Sequence, residues 1–507
     1  MAQAGNTQPV RTAPESISGV ALMQGYGVRE AKGFWADAWS QVLARPRAVA
    51  GLIWIGIVLF FAITAPFIAS GHPLLLDHIK DGAIVRTTSP LWQHLTATDI
   101  LLPIAAVAGL AWLAWPMAMP HSRRLTVFLL ALLQGGLIIV TCNIVGAEFR
   151  YPHVPDWMRS LQQRSGFIPV TAGIIAGVYA LIFIAASAFD RRAPRIAVPV
   201  LVSLTCWAVI TGFGGLGVNR WDPPLHTFNY RQAEARGEVR AVYTLIPFSP
   251  NQRSTQLDLL PPGMTLKKGL GEDADTVAGD PTFFLGTDSL GQDVLSQMLH
   301  ACRLSISIGL VSTGIAVCIG VTIGALMGYF GGWVDLVLFR VVEVFMAIPV
   351  LFLLIVAAAV LPRNTYVMMA IIGCVTWTGA ARFIRAEFLK LRGQDFVQSA
   401  KAVGLPLRSI LFRHMLPNGV TPVLVDASFA IAAAILAEAT LSFLGLGPVD
   451  QASWGRLLSD AQGHTGYFVW WLAIFPGLAI FLTVLSYNLV GEALRDAIDP
   501  KLKKARV

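Results

Sequence analysis

Charge is scarce in this chain: Asp, Glu, Lys and Arg make up 13% of its 507 residues, about half the share in a typical soluble domain. A water-facing surface cannot be built from so few, which excludes the ordinary soluble enzymes and binding modules. Cysteine is scarce too. The five, Cys142, Cys206, Cys302, Cys318 and Cys374, lie in or beside apolar runs with no CxxC spacing. That excludes a disulfide framework and a thiolate zinc site, and reads them as small packing residues. No G-x-x-x-x-G-K-[ST] occurs, so the chain has no P-loop phosphate cradle of its own. HExxH is absent as well, and GLGED near Gly269 falls in a polar loop rather than a span, which removes the intramembrane protease reading.

What fills the sequence instead is apolar: 55% hydrophobic residues and a mean hydropathy of +0.62. Crossing a bilayer core of about 30 Å takes roughly 20 such residues in a helix. Stretches of that kind lie near 48–68, 100–119, 125–145, 168–189, 196–214, 304–329, 337–360, 366–384, 420–443 and 469–490. The expectation is an all-α polytopic membrane protein of about ten spans. The net charge of +8 sits mostly in short loops beside spans, where the positive-inside bias places it, so no nucleic acid is implied. A polar leader of more than 40 residues precedes the first span, too long for the n-region of a signal peptide. FAITAPFIASG only mimics a cleavage site, and the leader is expected to stay attached.

With the amino terminus inside, HSRR and DRRAPR fall in inner loops, the polar stretch 215–303 falls outside, and 385–419 and the KLKKARV tail fall inside. Between Arg382 and Arg413 seven Lys or Arg (Arg382, Arg385, Lys390, Arg392, Lys401, Arg408, Arg413) face only Glu387 and Asp395. Arg150 to Arg164, with three arginines, runs against this alternation.

Within that inner loop, Asp395 followed by Gln398 reads as an N-cap with a reciprocal partner, and Gly404 then Pro406 as the stop. Phe396, Ala400 and Val403 recur at helical spacing as a small apolar face, beside polar Gln398, Ser399 and Lys401. The helix is either a solvated connector or a peg for a partner's groove.

The pattern Gln398-Ser399-Ala400, three residues, Gly404, nine residues, His414, Met415, Leu416-Pro417 resembles the coupling-loop motif EAA-x3-G-x9-I-x-LP of permease subunits in binding-protein-dependent ABC importers. Gln398 stands for Glu, Ser399 for Ala and His414 for Ile. GFWADAWSQVLARPRAVAGL from Gly33, GTDSLGQDVLSQMLHACRLSISIGL from Gly286 with Gln292 in place of Arg, YFGGWVDLVLFRVVEVFMAIPVLFLLI, ILAEATLSFLGLG and LRDAIDPKL are similar to the dipeptide, oligopeptide and nickel branch. RAEFL, RHMLPN and IPFSPNQ look most like the peptide permeases related to microcin-uptake systems. The resemblance covers roughly 33–70 and 245–503.

It implies a type I ABC-importer permease core of six spans, here with about four more. Expected segments are a cytoplasmic leader (1–47), a first core span (48–70), an inserted block with the extra spans (71–214), an external loop (215–303), a five-span core (304–490) and a cytoplasmic tail (491–507). The family's coupling motif falls on Gln398, Ser399, Ala400, Gly404, Leu416 and Pro417, to which Asp395 and Lys401 of the same helix and the flanking Arg408 and Arg413 are added as expected contacts to the ATPase; its external signature falls on Gly286, Thr287, Asp288, Gly291 and Asp293. No catalytic residue, metal or cofactor is expected on the chain, so it is not an enzyme by itself. ATP and magnesium belong to separate ATP-binding cassette ATPase subunits, which act with a second homologous permease and an external substrate-binding protein in a bacterial inner membrane, both termini cytoplasmic.

Intramembrane carboxylates are costly and usually functional. Glu438 either lines the passage or fastens the fold by hydrogen bonds; Asp426, nearer the inner end, is the second path candidate. Glu343 is expected to pair with Arg340. LSFLGLGP and QASWGRLLSDAQG suggest a re-entrant or mouth-lining element, with Trp470 and Trp471 as interfacial anchors. Val294, Leu295, Met298 and Leu299 are read as one face of a short helix on the outer membrane surface, where lying along the membrane or meeting the binding protein both remain open. The loop 215–285 shows no clear core. The extra spans either pack toward lipid or meet another subunit. The transported solute is expected to be a di- or oligopeptide, with nickel or another small solute as alternatives. An ion-coupled secondary transporter is the other class; the internal repeat it calls for is not evident.

Overall fold

The computed structural model describes residues 34–80, 83–115, 121–148, 167–186, 192–213, 225–449, 451–462 and 468–498. Most of the leader, the Arg150 to Arg164 segment and the KLKKARV tail lie outside the described residues.

The chain starts with α1 (Phe34–Leu43) and α2 (Pro46–Ile68). Pro46 at the first helical position suits a helix start, because the missing N–H has no partner there anyway. Ala38 and Val42 of α1 pack with Ala48 of α2 and with Ala493 and Ala497 near the other end of the chain. Arg45 closes this joint on Asp496 at 2.5 Å, so the two ends of the described chain lie on the same side.

Four helices then form the inserted block: α3 (Ala97–Ala114), α4 (His121–Glu148), α5 (Phe167–Ala186) and α6 (Arg192–Gly212). They enclose a core of their own, with Ile100, Leu101, Ile138, Cys142, Ala172, Ala176, Cys206 and Ile210 buried together.

The remaining α-helices of seven residues or more are α7 (Leu225–Ala235), α8 (Val294–Phe330), α9 (Gly332–Ala347), α10 (Val350–Val360), α11 (Thr365–Thr376), α12 (Thr378–Leu391), α13 (Asp395–Ala402), α14 (Thr421–Phe443), α15 (Trp454–Asp460) and α16 (Trp470–Ile498). Among the described residues seven helices are long and apolar enough to cross a membrane, and α5 is shorter in its apolar part, Pro169–Ala185. The pairs α9–α10 and α11–α12 qualify as broken spans, bent by 83° and 42°. Together these account for the ten expected stretches. The stretch 337–360 is therefore not one straight span: Pro349, lacking an N–H and forcing Ile348 into an extended backbone, interrupts it.

Three expectations for the outer side change. First, the fold there is not purely helical. A hairpin of β1 (Leu75–Lys80) and β2 (Ala83–Thr88), inside the inserted block, joins β3 (Val239–Val242) of the external loop in the order β2-β1-β3. Second, the external loop does have a core: Ile246, Phe248, Leu257, Leu266, Leu270, Val277 and Phe283 bury against Ala65, Ala69 and Leu299. Its apolar residues are spread thinly through turns, so no helical or strand period announces them. Third, Val294 to Leu299 are not a separate surface helix. They are the first turns of α8, a single 37-residue helix, and Val294 and Leu299 are buried.

Among the described residues the five cysteines are free thiols, Cys142, Cys206 and Cys302 buried, Cys318 and Cys374 exposed. Arg340 meets Glu343 at 2.5 Å as the spacing implied.

Candidate functional site

The segment expected on the inner side begins where α12 ends. The backbone turns at Arg392 to Gln394, and α13 runs from Asp395 to Ala402. The cap is not the expected one. Gln394 occupies the N-cap position without a side-chain bond, and Asp395 is the first helical residue, where its charge still favours the helix N-terminus. Gln398 reaches back with Nε2 to the Arg392 carbonyl at 2.8 Å, a bond the usual Glu carboxylate could not donate.

The stop is as expected. Gly404 has φ +76°, its N–H bonds Lys401 O, and the Leu405 N–H bonds Ala400 O, the paired closure that favours glycine after a helix. Pro406 then begins a new turn.

The small apolar face read from the spacing divides in the structure. Val397 and Ala400 point inward, onto Phe388, Leu391, Ile410, Leu411 and Met415, whereas Phe396 (39% exposed) and Val403 (79%) point out. Ser399, Lys401, Arg408 and Arg413 are exposed too. Lys401 Nζ lies 4.8 Å from the centre of the Tyr329 ring at the inner end of α8; nothing in the local pattern of α13 pointed to Tyr329. Residues Ile410–Met415 form a wide π-turn. It stands just ahead of Pro417, which has no N–H for the Arg413 carbonyl and whose ring would crowd it in an ordinary turn. Leu416 and Pro417 open the short helix that leads into α14.

The signature expected on the outer side is a tightly bonded clamp. Gly286 and Gly291 take φ of +80° and +70°, and a Cβ at Gly291 would stand 1.9 Å from the Ser254 carbonyl. Asp288, buried, accepts from the N–H groups of Leu290 and Gln292 and from Gln297 Nε2, at 2.8, 2.8 and 2.6 Å. Thr287 Oγ1 donates to Leu257 O at 2.6 Å and accepts from the Leu260 N–H at 2.7 Å. Asp293 caps α8 by accepting from the Ser296 N–H at 2.7 Å. Burial pushes its carboxyl up to about 7, Asp288 adds to the rise, and the Ser296 and Leu295 N–H groups oppose it. Burial raises Asp288 as well, against the bonds it accepts. Trp471 is no simple interfacial anchor: its Nε1 donates to Thr287 O at 3.1 Å, while Trp470 is exposed.

The two membrane carboxylates differ. Glu438 on α14 is buried, and its Oε1 accepts from Ser442 Oγ and Ser453 Oγ, both at 2.7 Å. Ser453 caps α15, so Glu438 fastens the Gly-rich outer segment to α14. Trp454 Nε1 secures the same segment to Met298 O at 3.1 Å. Asp426 is half-buried and its carboxylate lies against Gly379 of α12.

The inner and outer motifs thus sit at opposite ends of one helical body. Its sequence matches the family described as "binding-protein-dependent transport system inner membrane component" over residues 320–504, and the "N-terminal TM domain of oligopeptide transport permease C" over 33–79. A dipeptide transport system permease protein of Alkalihalophilus pseudofirmus is 35% identical over 221 residues, 43% of this chain and 72% of that protein. The oligopeptide transport system permease protein of Haemophilus influenzae is 38% identical over 43% of this chain and 70% of its own length. This chain belongs to the inner-membrane permease family of binding-protein-dependent transport systems. A peptidoglycan transport system permease protein of Agrobacterium fabrum is 39% identical over 43% of the permease and 57% of that relative. The two matched family regions leave out residues 80–319, which hold α3 to α7 of this permease and most of the segment before α8.

Two groups of residues escaped sequence reasoning. Asp99, buried at the start of α3, forms an ion pair with Arg303 of α8; the residues are 204 positions apart and no local pattern joins them. Gly320, Gly324 and Gly328 face α12 so closely that Cβ atoms there would stand 2.6, 2.5 and 2.4 Å from Trp377 O, Ala381 O and Phe388 Cβ. Their G-x-x-x-G spacing is a readable signal for close helix packing in membranes.

Proposed function

We propose that this permease is the membrane subunit of an ATP-driven importer of di- or oligopeptides, with α13 seated in a groove of a separate ATPase subunit. The observation that carries the reading is the division of α13. Val397 and Ala400 hold it to its own chain, which leaves Phe396 and Val403 outward with no apolar role in the fold. In water such side chains gain from a partner that covers them.

Asp395, Gln398, Ser399, Ala400, Lys401 and Gly404 shape the helix and its stop; Arg408 and Arg413 flank it as basic contacts; Leu416 and Pro417 pass its movement to α14. ATP and magnesium act on the ATPase partners. A second homologous permease completes the passage, and an external binding protein delivers the solute. Peptide is favoured because the similar permeases named above are described for dipeptides and oligopeptides, with another described for glutathione. Gly286, Thr287, Asp288, Gly291 and Asp293 keep the outer face in shape for the binding protein. Asp426 is the better path candidate, since Glu438 is already occupied by two serines. The joint of Arg45 with Asp496 supports placing both termini together, on the cytoplasmic side by the positive-inside bias.

The test is purification from the native membrane in mild detergent, comparing Gly404→Val with the unchanged chain. A β-branched residue in the left-handed region costs about 1–2 kcal/mol, so the stop of α13 is lost while the spans remain. Wild type should bring ATPase subunits and a second permease with it, and the variant should bring several-fold less ATPase at equal membrane abundance. Equal recovery of ATPase would remove α13 from the interface. Solute uptake by the isolated chain without ATP would favour an ion-coupled transporter.

A further inference from the structure

The ties shown between the inserted block and the permease core gather at the end of the bundle that carries the signature clamp. Asp99, in the first turn of α3, pairs with Arg303 of α8. Asn143, near the end of α4, donates to the Tyr366 hydroxyl of α11 at 2.8 Å. Phe67, at the end of α2, packs on the core of the block. Further along, the same helix faces are bare. Positions seven and eleven residues apart on a helix point within about 20° of each other. On α8, Leu310 and Gly314 stand seven and eleven residues beyond Arg303; both are exposed, and a Cβ at Gly314 would have nothing within 4 Å. On α3, Leu110 stands eleven residues beyond Asp99 and is 71% exposed. On α4, which runs the opposite way, Gly136 and Leu132 stand seven and eleven residues before Asn143; both are exposed, and a Cβ at Gly136 would have nothing within 4 Å. Ala370 and Cys374, one and two turns beyond Tyr366 on α11, are exposed as well. Two walls thus meet at the clamp end and stand uncovered about 10 to 16 Å further on, on helices apolar enough to cross a membrane.

We propose that the space between the inserted block and the core is a wedge filled by the acyl chains of a membrane phospholipid, closed at the clamp end by the Asp99–Arg303 and Asn143–Tyr366 latches and open toward the end that carries α13. Leu110, Leu132 and Gly136 on one wall and Leu310 and Gly314 on the other offer no polar side chain, so water finds no partners there. Walls with nothing between them would forfeit their dispersion contacts. A helix from another subunit is a cylinder about 10–12 Å across, and a gap that narrows to contact cannot seat it along its length. Acyl chains are thin and flexible, and they follow the taper. The block is then held to the core by two polar latches and by shared lipid, and it needs no complementary protein surface on α8.

The experiment uses the full chain, with whatever subunits co-purify, in phospholipid vesicles and in a background with the five cysteines replaced. Gly314→Cys, where the new side chain meets open space, carries a bimane fluorophore. Phosphatidylcholine with brominated chains should quench it at least twofold, and acrylamide in the water should leave it nearly unchanged. A label that brominated chains do not reach in the complex, but do reach in the chain stripped of its partners, places a subunit's helix in the gap and overturns the proposal. Quenching by acrylamide shows a wet crevice and overturns it too. The shape is tested by pairing Leu110→Cys with Gly314→Cys, each eleven residues beyond its member of the Asp99–Arg303 pair. A long flexible bis-maleimide should bridge them, and oxidation should form no direct disulfide. A direct disulfide means that the walls touch, and failure of the long reagent means that they do not face each other; either result removes the wedge.

Discussion

The inserted block and the later half of the chain are both helical membrane structures, held together by different means. Inside the block the polar ties are short and self-contained. Gln134 Nε2 donates to Pro199 O and Ser203 Oγ, Ser203 donates to Ala176 O, each at 2.8 Å, and Thr141 meets Tyr179 at 2.9 Å. Its links to the permease core lie at the outer ends of the helices: Asp99 to Arg303, and Asn143 Nδ2 to the Tyr366 hydroxyl at 2.8 Å. The later half depends on backbones in contact, at the α8–α12 seam and where Gly455 of α15 meets Ala439 of α14, a Cβ there standing 2.2 Å from the carbonyl. A unit with its own core and a few latches can be added to a working permease if it crosses the membrane an even number of times. A close-packed seam tolerates no such freedom, since any added atom must move two backbones.

The largest effect should come from testing this difference with one substitution in each region. Gly324→Leu forces a side chain into the Ala381 carbonyl and should cost about 3 kcal/mol or more, read as loss of monodisperse protein in detergent. Gly177→Leu in the block has nothing within 4 Å of the new Cβ and should leave yield and melting unchanged. If both are tolerated, the seam is not what holds the later half.

An intermediate effect is expected at the latch. Asp99→Leu leaves a half-buried Arg303 beside a vanished partner and should cost up to about 3 kcal/mol, seen as lower thermal stability. Adding Arg303→Met should recover most of it, because two apolar groups leave no charge unpaired. A double variant no better than the single one would make Asp99 a capping residue alone, through its bond to the Thr96 N–H at 2.8 Å.

The smallest effect concerns the outer cap, which both regions help to build. The carboxyl of Asp293 is raised from 3.8 to about 7 in the fold. Between those values the folded state keeps a proton that the unfolded chain has released, so its contribution to stability falls as pH rises from about 4 to about 7 and is flat above. Resistance of the cap to limited proteolysis should be higher at pH 5 than at pH 8. Asp293→Asn, which still caps the helix, should flatten that difference. An unchanged pH slope in the variant would place the titrating group elsewhere.

Much of this protein was legible without a structure. The ten apolar stretches, the stop of α13 at Gly404 and the Arg340–Glu343 pair follow from local rules: a span needs a fixed length of apolar chain, opposite charges three residues apart on a helix meet, and a helix end wants a glycine. The segment proposed to couple to the ATPase could be marked out by its motif, and its helix lies where that motif put it, Asp395–Ala402. Its inward face could not, because Val397 and Phe396 are equally apolar and only the position of α12 and of the π-turn decides which one is covered. The strand order β2-β1-β3, the core under the external loop, the partnership of Asp99 with Arg303 and the place of Tyr329 beneath Lys401 each join residues far apart in sequence. Chain-local patterning carries no information about such pairs. Composition and periodicity therefore determined that this chain spans the membrane and where, because hydrocarbon imposes the same demand on every segment. Which spans lie backbone to backbone was decided only by tertiary packing, where a missing Cβ on three glycines brings two helices into contact.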